Sequence, residues 1–242
     1  MRILITNDDG VQYEGLLPLV KWAKTLGEVT VVAPKYEQSG KSHGIELHKP
    51  FEIKHFQLLP DVTCYSVDST PADCVRFAVL GMKQSYDLVI SGINNGLNIG
   101  CDIMYSGTVA AVFEAAIQGI NALAISADFG KHLVAADYLD TVWNYIQENK
   151  LFDANGVYNI NIPEAPKGFH ITHQGGPYYS DDFEARENDM YMPIGRCVYE
   201  DRGDDTLDTD AVMHGYISVT PLTIERADLD VYKKLSEKLN TN

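Results

Sequence analysis

MRILITNDDG, residues 1–10, decides the fold. Ile3, Leu4 and Ile5 form an unbroken apolar run, short and closed by a turn signature, which reads as a strand buried on both faces. Two adjacent carboxylates stand at its carboxyl end. A charge beside a core is costly unless something pairs it, so Asp8 and Asp9 require a partner that the strand does not supply.

Helical and strand periods alternate downstream. Residues 13–26 place Leu16, Val20, Ala23 and Leu26 on one helical face, with Gly27 as a stop. Residues 29–33 are a β-branched run closed by Pro34, and residues 62–67 and 88–90 read as further strands. Thr70 caps a helix that carries Pro71 first and Asp73 third. Helices are expected over 106–118 and 134–148, and strands over 122–126 and 157–162. This alternation predicts an α/β fold, a Rossmann-like parallel sheet flanked by helices. Ligands of such sheets bind outside the carboxyl ends of the strands. Asn7, Asp8 and Asp9 share that edge with the segment from Ser91 to Asn95. After Pro166 the composition turns to Gly, aromatic and acidic residues, with a late strand over 216–220 and a final helix over 228–239. The expected organisation is a catalytic core over 1–166. Residues 167–242 form a β-rich C-terminal extension and final helix that serve oligomerisation and do not fold alone. The run EDRGDDTLDTD, 200–210, reads as a solvated acidic loop.

The 242 residues carry a formal net charge of −15. That disfavours a nucleic acid polymer as partner, because phosphates need a basic surface. It also means that an anionic ligand must be met by a bound cation or by helix N-termini. No apolar run is long enough to span a membrane, RILIT is too short for a secretory leader, and the four cysteines show no CxxC spacing. Reduced thiols in a cytoplasmic protein are expected.

Several stretches carry possible chemistry, each with a plain structural alternative. NDDG fits a turn, or a hard-cation site built from carboxylate oxygens. SGINNGLN, 91–98, opens a loop that runs to about Tyr105, longer than an ordinary βα connection of ~2–6 residues. YSGTVAAVFEAA, 105–116, places Ser106, Gly107 and Thr108 at a helix start, where free N–H groups attract an anion or a hydroxyl simply caps the helix. EQSGKSHG, 37–44, reads as a solvated loop in which Lys41 and His43 are weak signals.

The order of these motifs is more specific than any one of them. NDDG after the first strand, SG after the second, TPADC, SGINxGxN and YSGT, followed by VYNINIP (157–163) and GYISVTPL (215–222), resemble the SurE family of survival proteins, metal-dependent 5′/3′-nucleotidases. The resemblance spans nearly the whole chain. Ser69 departs from it, standing where the family carries Gly before TPADC. The resemblance implies one divalent cation per subunit, held by Asp8, Asp9, Ser39 and Asn94, with Asp8, Asp9 and Asn94 as the catalytic group. These donors are all oxygens, which favours magnesium or manganese over zinc. Asn95, Gly96, Ser106, Gly107 and Thr108 are expected to hold the phosphate of a nucleoside monophosphate. The acids are adjacent rather than spaced as DxD, so water rather than an aspartyl nucleophile is expected to attack. The resemblance also implies a C-terminal part exchanged between subunits, hence a homodimer or homotetramer, with no membrane partner. A broader phosphatase or exopolyphosphatase, and a non-catalytic nucleotide sensor, are the alternative readings.

Overall fold

The computed structural model describes residues 1–239. β1 (Arg2–Thr6) leads through the NDDG turn to α1 (Leu16–Ala23), β2 (Glu28–Pro34), the edge strand β3 (Ile53–Phe56) and β4 (Thr63–Val67). α2 (Pro71–Arg76) continues into a π turn over Phe77–Gly81. β5 (Leu88–Asn95), a 3₁₀ turn (Gly100–Met104), α3 (Gly107–Ile117), β6 (Asn121–Ala127), α4 (His132–Asp137), α5 (Leu139–Glu148), α6 (Leu151–Ala154) and β7 (Val157–Ile162) complete the alternating part. β8 (Phe169–Ile171), β9 (Tyr179–Ala185), β10 (Tyr191–Cys197), α7 (Asp208–Met213), β11 (Ile217–Pro221) and α8 (Leu229–Leu239) follow.

The nine-stranded sheet has the order β3-β4-β2-β1-β5-β6-β7-β11-β8. From β4 to β7 all neighbours are parallel. β1 lies between β2 and β5, so the chain winds outward in both directions from it. This is the doubly wound arrangement, and its switch point is the crevice between the ends of β1 and β5. Alternation along β1 shows why the sheet is covered on both faces. Ile3 and Ile5 pack with α1 and α5 residues Leu16, Leu19, Leu139 and Ile146. Leu4 packs on the other face with Cys74 and Val75 of α2 and with Val109 and Val112 of α3.

β11 pairs antiparallel with β7 and β8 pairs parallel with β11, so the extension widens the main sheet, while β9 and β10 form a separate antiparallel hairpin. No helix of the described residues is long and apolar enough to cross a membrane. All four cysteines are free, with Cys64 and Cys74 buried.

Four expectations need correction. The helix over 134–148 is two, α4 and α5, because the chain tightens where Tyr138 N–H donates to the Ala135 carbonyl. The strand expected over 88–90 does not end at Ile90. A register shift between Ser91 and Asn94 lets β5 run on to Asn95, and Gly92, at φ +143, has no room for a side chain against the Ile125 carbonyl. Residues 200–210 are a solvated loop only in their first part: 200–204 are exposed, but Asp208 and Asp210 are 0% and 1% exposed. His43 is not a free loop residue: its Nε2 lies 3.1 Å from the buried Glu114 Oε2. Burial works against the Glu114 charge, but the bonds from His43 and Gln118 outweigh it and hold the carboxyl below its usual range. Ser69 has a local role, its hydroxyl donating to Asp73 Oδ2 at 2.6 Å beside the Glu46 amide at 2.8 Å.

Candidate active site at the sheet switch point

The turn after β1 is built by Asn7. Its Nδ2 donates to the Gly10 carbonyl at 3.0 Å and its Oδ1 accepts from Gly10 N–H at 3.1 Å. This closed turn is clamped to the loop after β2 by Val11 N–H on the Pro34 carbonyl and Gln38 N–H on the Asp8 carbonyl. Gly10 sits at φ +95 against the Tyr36–Glu37 backbone, where a side chain would be strained and crowded. The turn turns Asp8 and Asp9 to different partners.

Asp8 is buried and sits on the N-terminus of α3. Thr108 Oγ1 donates to its Oδ1 at 2.5 Å and Thr108 N–H to its Oδ2 at 3.0 Å. Burial pushes the Asp8 carboxyl up, opposed by the bonds from Thr108. Asp9, half-buried, accepts from Asn95 N–H at 3.2 Å. Burial and the adjacent Asp8 charge push it up to about 7. Thr108 Oγ1 also lies 3.4 Å from Asn94 Oδ1. The Asn94 amide nitrogen is taken by the Gly96 carbonyl at 2.7 Å, which turns its oxygen toward the Asp8–Thr108 pair. Asn95 Oδ1 accepts from Gly130 N–H, tying the loop after β6 to the same corner.

The structure therefore brings Asp8, Asp9, Asn94, Asn95 and Thr108 to one corner: Thr108 bridges Asp8 and Asn94, and the backbone of Asn95 holds Asp9. Ser39 is outside it. It is exposed, and its hydroxyl donates to Glu37 Oε1 at 2.7 Å, although its neighbour Gln38 is tied to the Asp8 backbone. Gly96 faces open space, with only Asn94 Nδ2 within 4.0 Å of where a Cβ would stand. Ser106 Oγ caps α3 by accepting from Val109 N–H at 3.1 Å.

Thr108 and Gly107 differ from the expected phosphate cradle. The free donors of the α3 N-terminus already serve a carboxylate, that of Asp8. Gly107 is small for the same reason: an added Cβ would stand 2.9 Å from Asp8 Cβ, 3.0 Å from its Oδ2 and 3.1 Å from Pro71 Cγ. Thr108→Val should therefore cost on the order of 1–3 kcal/mol of Asp8 anchoring. We expect the loss in the apparent affinity for a divalent cation rather than in inhibition by free phosphate. A manganese titration of activity beside a phosphate inhibition series separates the two, and a change confined to phosphate inhibition would restore the cradle reading.

Behind the site, buried asparagines of β7, not among the expected site residues, hold the Asn98 backbone. In NINIP, Asn159 and Asn161 fall on the same face of β7, both fully buried. Their amides donate to the Asn98 carbonyl at 2.7 and 2.9 Å, and Asn161 Oδ1 accepts from Asn98 N–H at 2.8 Å. Asn98 Nδ2 reaches Ser126 Oγ at 2.8 Å. Period-two spacing of a polar residue inside an apolar strand was the available signal.

The oxygen-only donor set fits a hard cation. Asp8, Asp9 and Asn94 share this corner, and without a cation beside it burial and the Asp8 charge push the Asp9 carboxyl toward its neutral form. Among the described residues no group of three or more His, Cys, Asp or Glu side chains forms a metal cluster, so a cation here would rest on two carboxylates plus neutral oxygens. One consequence concerns pH. The Asp9 pKa in the folded, metal-free protein lies above its unfolded value of 3.8. The folded state then binds more protons than the unfolded state between about 4 and about 7, and stability falls as pH rises through that window. A cation, which needs the ionised form, displaces the proton. Thermal melts without metal should drop from pH 4.5 to 7 relative to Asp9→Asn, and calorimetry at pH 6.5 in two buffers should show proton release on manganese binding. No difference from Asp9→Asn would place the Asp9 pKa in the ordinary range.

The chain matches the family model described as Survival protein SurE over residues 3–181. It is 38% identical over 247 residues to a protein of Caldanaerobacter subterraneus subsp. tengcongensis named 5′-nucleotidase SurE, covering 97% of this chain and 96% of that one. A protein of the same name from Pseudothermotoga lettingae is 39% identical over 256 residues, covering 99% and 97%. The crystal structure of the SurE protein from Aquifex aeolicus is similar with a TM-score of 0.75 at 32% identity, over 98% of this chain and 99% of that one.

Proposed function

The chain belongs to the SurE family of survival proteins, and we propose that it is a divalent-cation-dependent 5′/3′-nucleotidase that hydrolyses nucleoside monophosphates to nucleoside and phosphate. The observation that carries this reading is the seating of Asp8 on the α3 N-terminus by Thr108, with Asp9 and Asn94 beside it, at the switch point of a doubly wound sheet. The names of the relatives from Caldanaerobacter and Pseudothermotoga support it.

Asp8, Asp9 and Asn94 would hold one magnesium or manganese ion per subunit, with Ser39 as a further donor once its hydroxyl turns from Glu37. Such a cation would offset charge on a phosphoryl oxygen and lower the pKa of a water. Thr108 and Gly107 keep Asp8 in place. The phosphate borders the open backbone at Gly96, the Asn95 side chain and the Ser106 hydroxyl, whose proton is free to donate because its oxygen is the cap acceptor. No Lys or Arg lies between Lys83 and Lys131, so these neutral donors carry the binding. Both oxygens of Asp8 accept hydrogen bonds from Thr108, which blunts them as nucleophiles. Water therefore attacks phosphorus, the bond to the nucleoside oxygen breaks, and that oxygen takes up a proton.

A concavity of about 350 Å³ borders the Ser39 loop and is lined by Gln38, Lys41, Glu46, Asp68, Ser69 and Thr70. It offers room for the nucleoside. The hairpin carries exposed Tyr179, Phe183, Tyr191, Met192 and Ile194, and α8 exposes Leu229, Tyr232, Leu235 and Leu239. The exposure of these apolar faces supports a homodimer or homotetramer in which other subunits cover them. The four free thiols fit a reducing cytoplasm. A panel of 5′- and 3′-nucleoside monophosphates with manganese tests the function: phosphate should be released from at least one, and release from short polyphosphate alone would favour the exopolyphosphatase reading.

A further inference from the structure

The segment from Asn94 to Thr108 carries the site at both its ends, and its middle must be held still for the ends to stay in register. Asn98 is held by β7. The 3₁₀ turn beyond it is held by the extension. Gly100 N–H donates to both oxygens of Asp208, at 3.1 and 3.0 Å, and Gly175 N–H donates to Asp208 Oδ1 at 2.7 Å. Cys101 N–H donates to the Gly176 carbonyl at 3.2 Å, and Asp102 Oδ2 accepts from Tyr179 N–H at 2.8 Å, where the hairpin begins. The packing is close, since a side chain on Gly100, at φ +58, would run into the Gly176 carbonyl.

Asp208 is 0% exposed and forms no ion pair among the described residues. Among the described residues its carboxylate accepts hydrogen bonds from backbone N–H groups and from no side chain. A carboxylate in that state is costly unless its donors are fixed. Asp208 needs Gly100 and Gly175 where they are, and among the described residues their N–H groups have no other acceptor. We propose that Asp208 is a positioning residue for the active-site segment, and that through it the C-terminal extension acts as a strut that sets the Asn94–Thr108 span against the β1 carboxylates. Asp210, two residues on, supplies the contrast. It is also buried, but accepts from Arg202 N–H at 2.9 Å and Asp204 N–H at 3.0 Å, both within the extension.

The inference rests on the nucleotidase reading for its activity arm alone. Asp208→Asn keeps the shape and removes the charge; whichever position its amide nitrogen takes, Gly100 N–H keeps one acceptor of two and faces a donor at the other, and Gly175 N–H is left with a neutral oxygen or with none. In manganese-loaded full-length protein, amide exchange at Gly100 and Gly175 should accelerate at least ~10-fold, with Ala122 and Ile160 in the sheet unchanged. Turnover per folded molecule, at saturating manganese and 5′-AMP and well below the melting temperature, should fall ~10- to 100-fold, the scale of a misplaced active-site segment. Asp210→Asn should lower the melting temperature and keep that turnover. Wild-type turnover in Asp208→Asn, or an equal loss in both variants, overturns the strut. If Asp208→Asn does not fold, the wild-type protein decides: Gly100 and Gly175 amides should exchange slowly and at similar rates, and a Gly100 amide as fast as the exposed Gly203 contradicts the proposal. A wild-type protein that releases no phosphate from any monophosphate defeats the nucleotidase reading and leaves the exchange test standing.

Discussion

Asp8→Asn should fold normally and release phosphate from 5′-AMP at least roughly a hundredfold more slowly than wild type, the scale of losing a key electrostatic contact. The shape of the side chain is kept. If the amide nitrogen takes the Oδ1 position, the Thr108 hydroxyl rotates to accept from it, while Oδ2 still accepts the Thr108 N–H. What is lost is one negative charge beside Asp9. The metal-free variant should melt no lower than wild type, because a carboxyl that burial penalises has been replaced by a neutral group and Asp9 loses a like-charged neighbour. Scanning calorimetry with chelator and phosphate release with saturating manganese read the two effects separately. Near-normal turnover would reduce NDDG to a turn.

Gly107→Val is the second large effect, and it acts without touching charge. The added Cβ alone stands 2.9 Å from Asp8 Cβ and 3.1 Å from Pro71 Cγ. Real Cβ atoms do not approach so closely, so Asp8 or the first turn of α3 must shift, and the two γ-methyls worsen the conflict. A displacement on the order of 1 Å at a reacting group costs ~10²-fold. We expect little turnover at any manganese or substrate concentration, and Gly107→Ala should fall between Val and wild type. Full activity in Gly107→Ala, with unchanged manganese affinity, would show that Asp8 does not depend on this helix start.

The parts of the site nearest β1 were legible because local pattern and global fold agree there. An apolar run that alternates between two cores, a closed Asx turn and adjacent acids all lie within residues 3–10, and a parallel sheet flanked by helices follows from the alternation of periods. The role of the α3 start was half legible. Ser-Gly-Thr before a compact helix marks an anion site, but periodicity does not say which anion, and here the anion is Asp8, a hundred residues upstream of Thr108. Asp208 was illegible for the same reason. Counting charges over 200–210 gives a solvated loop, and only folding shows that Gly175 and Gly100, 33 and 108 residues away in sequence, bring their N–H groups to it. The edge strand β3, with Lys54 and His55 exposed, has too short and too polar a pattern to be told from a loop. The break at Tyr138 comes from a tightened last turn of α4, with no Pro or Gly to announce it.

The central claim is that the carboxylates after β1 hold a divalent cation without which the phosphate monoester is not cleaved. The most direct measurement is phosphate release from 5′-AMP by one preparation of the protein, first after exhaustive chelation and then after manganese is restored. The account predicts turnover near background in the first state and recovery in the second, with no recovery in Asp8→Asn. Full activity in the chelated protein would contradict it.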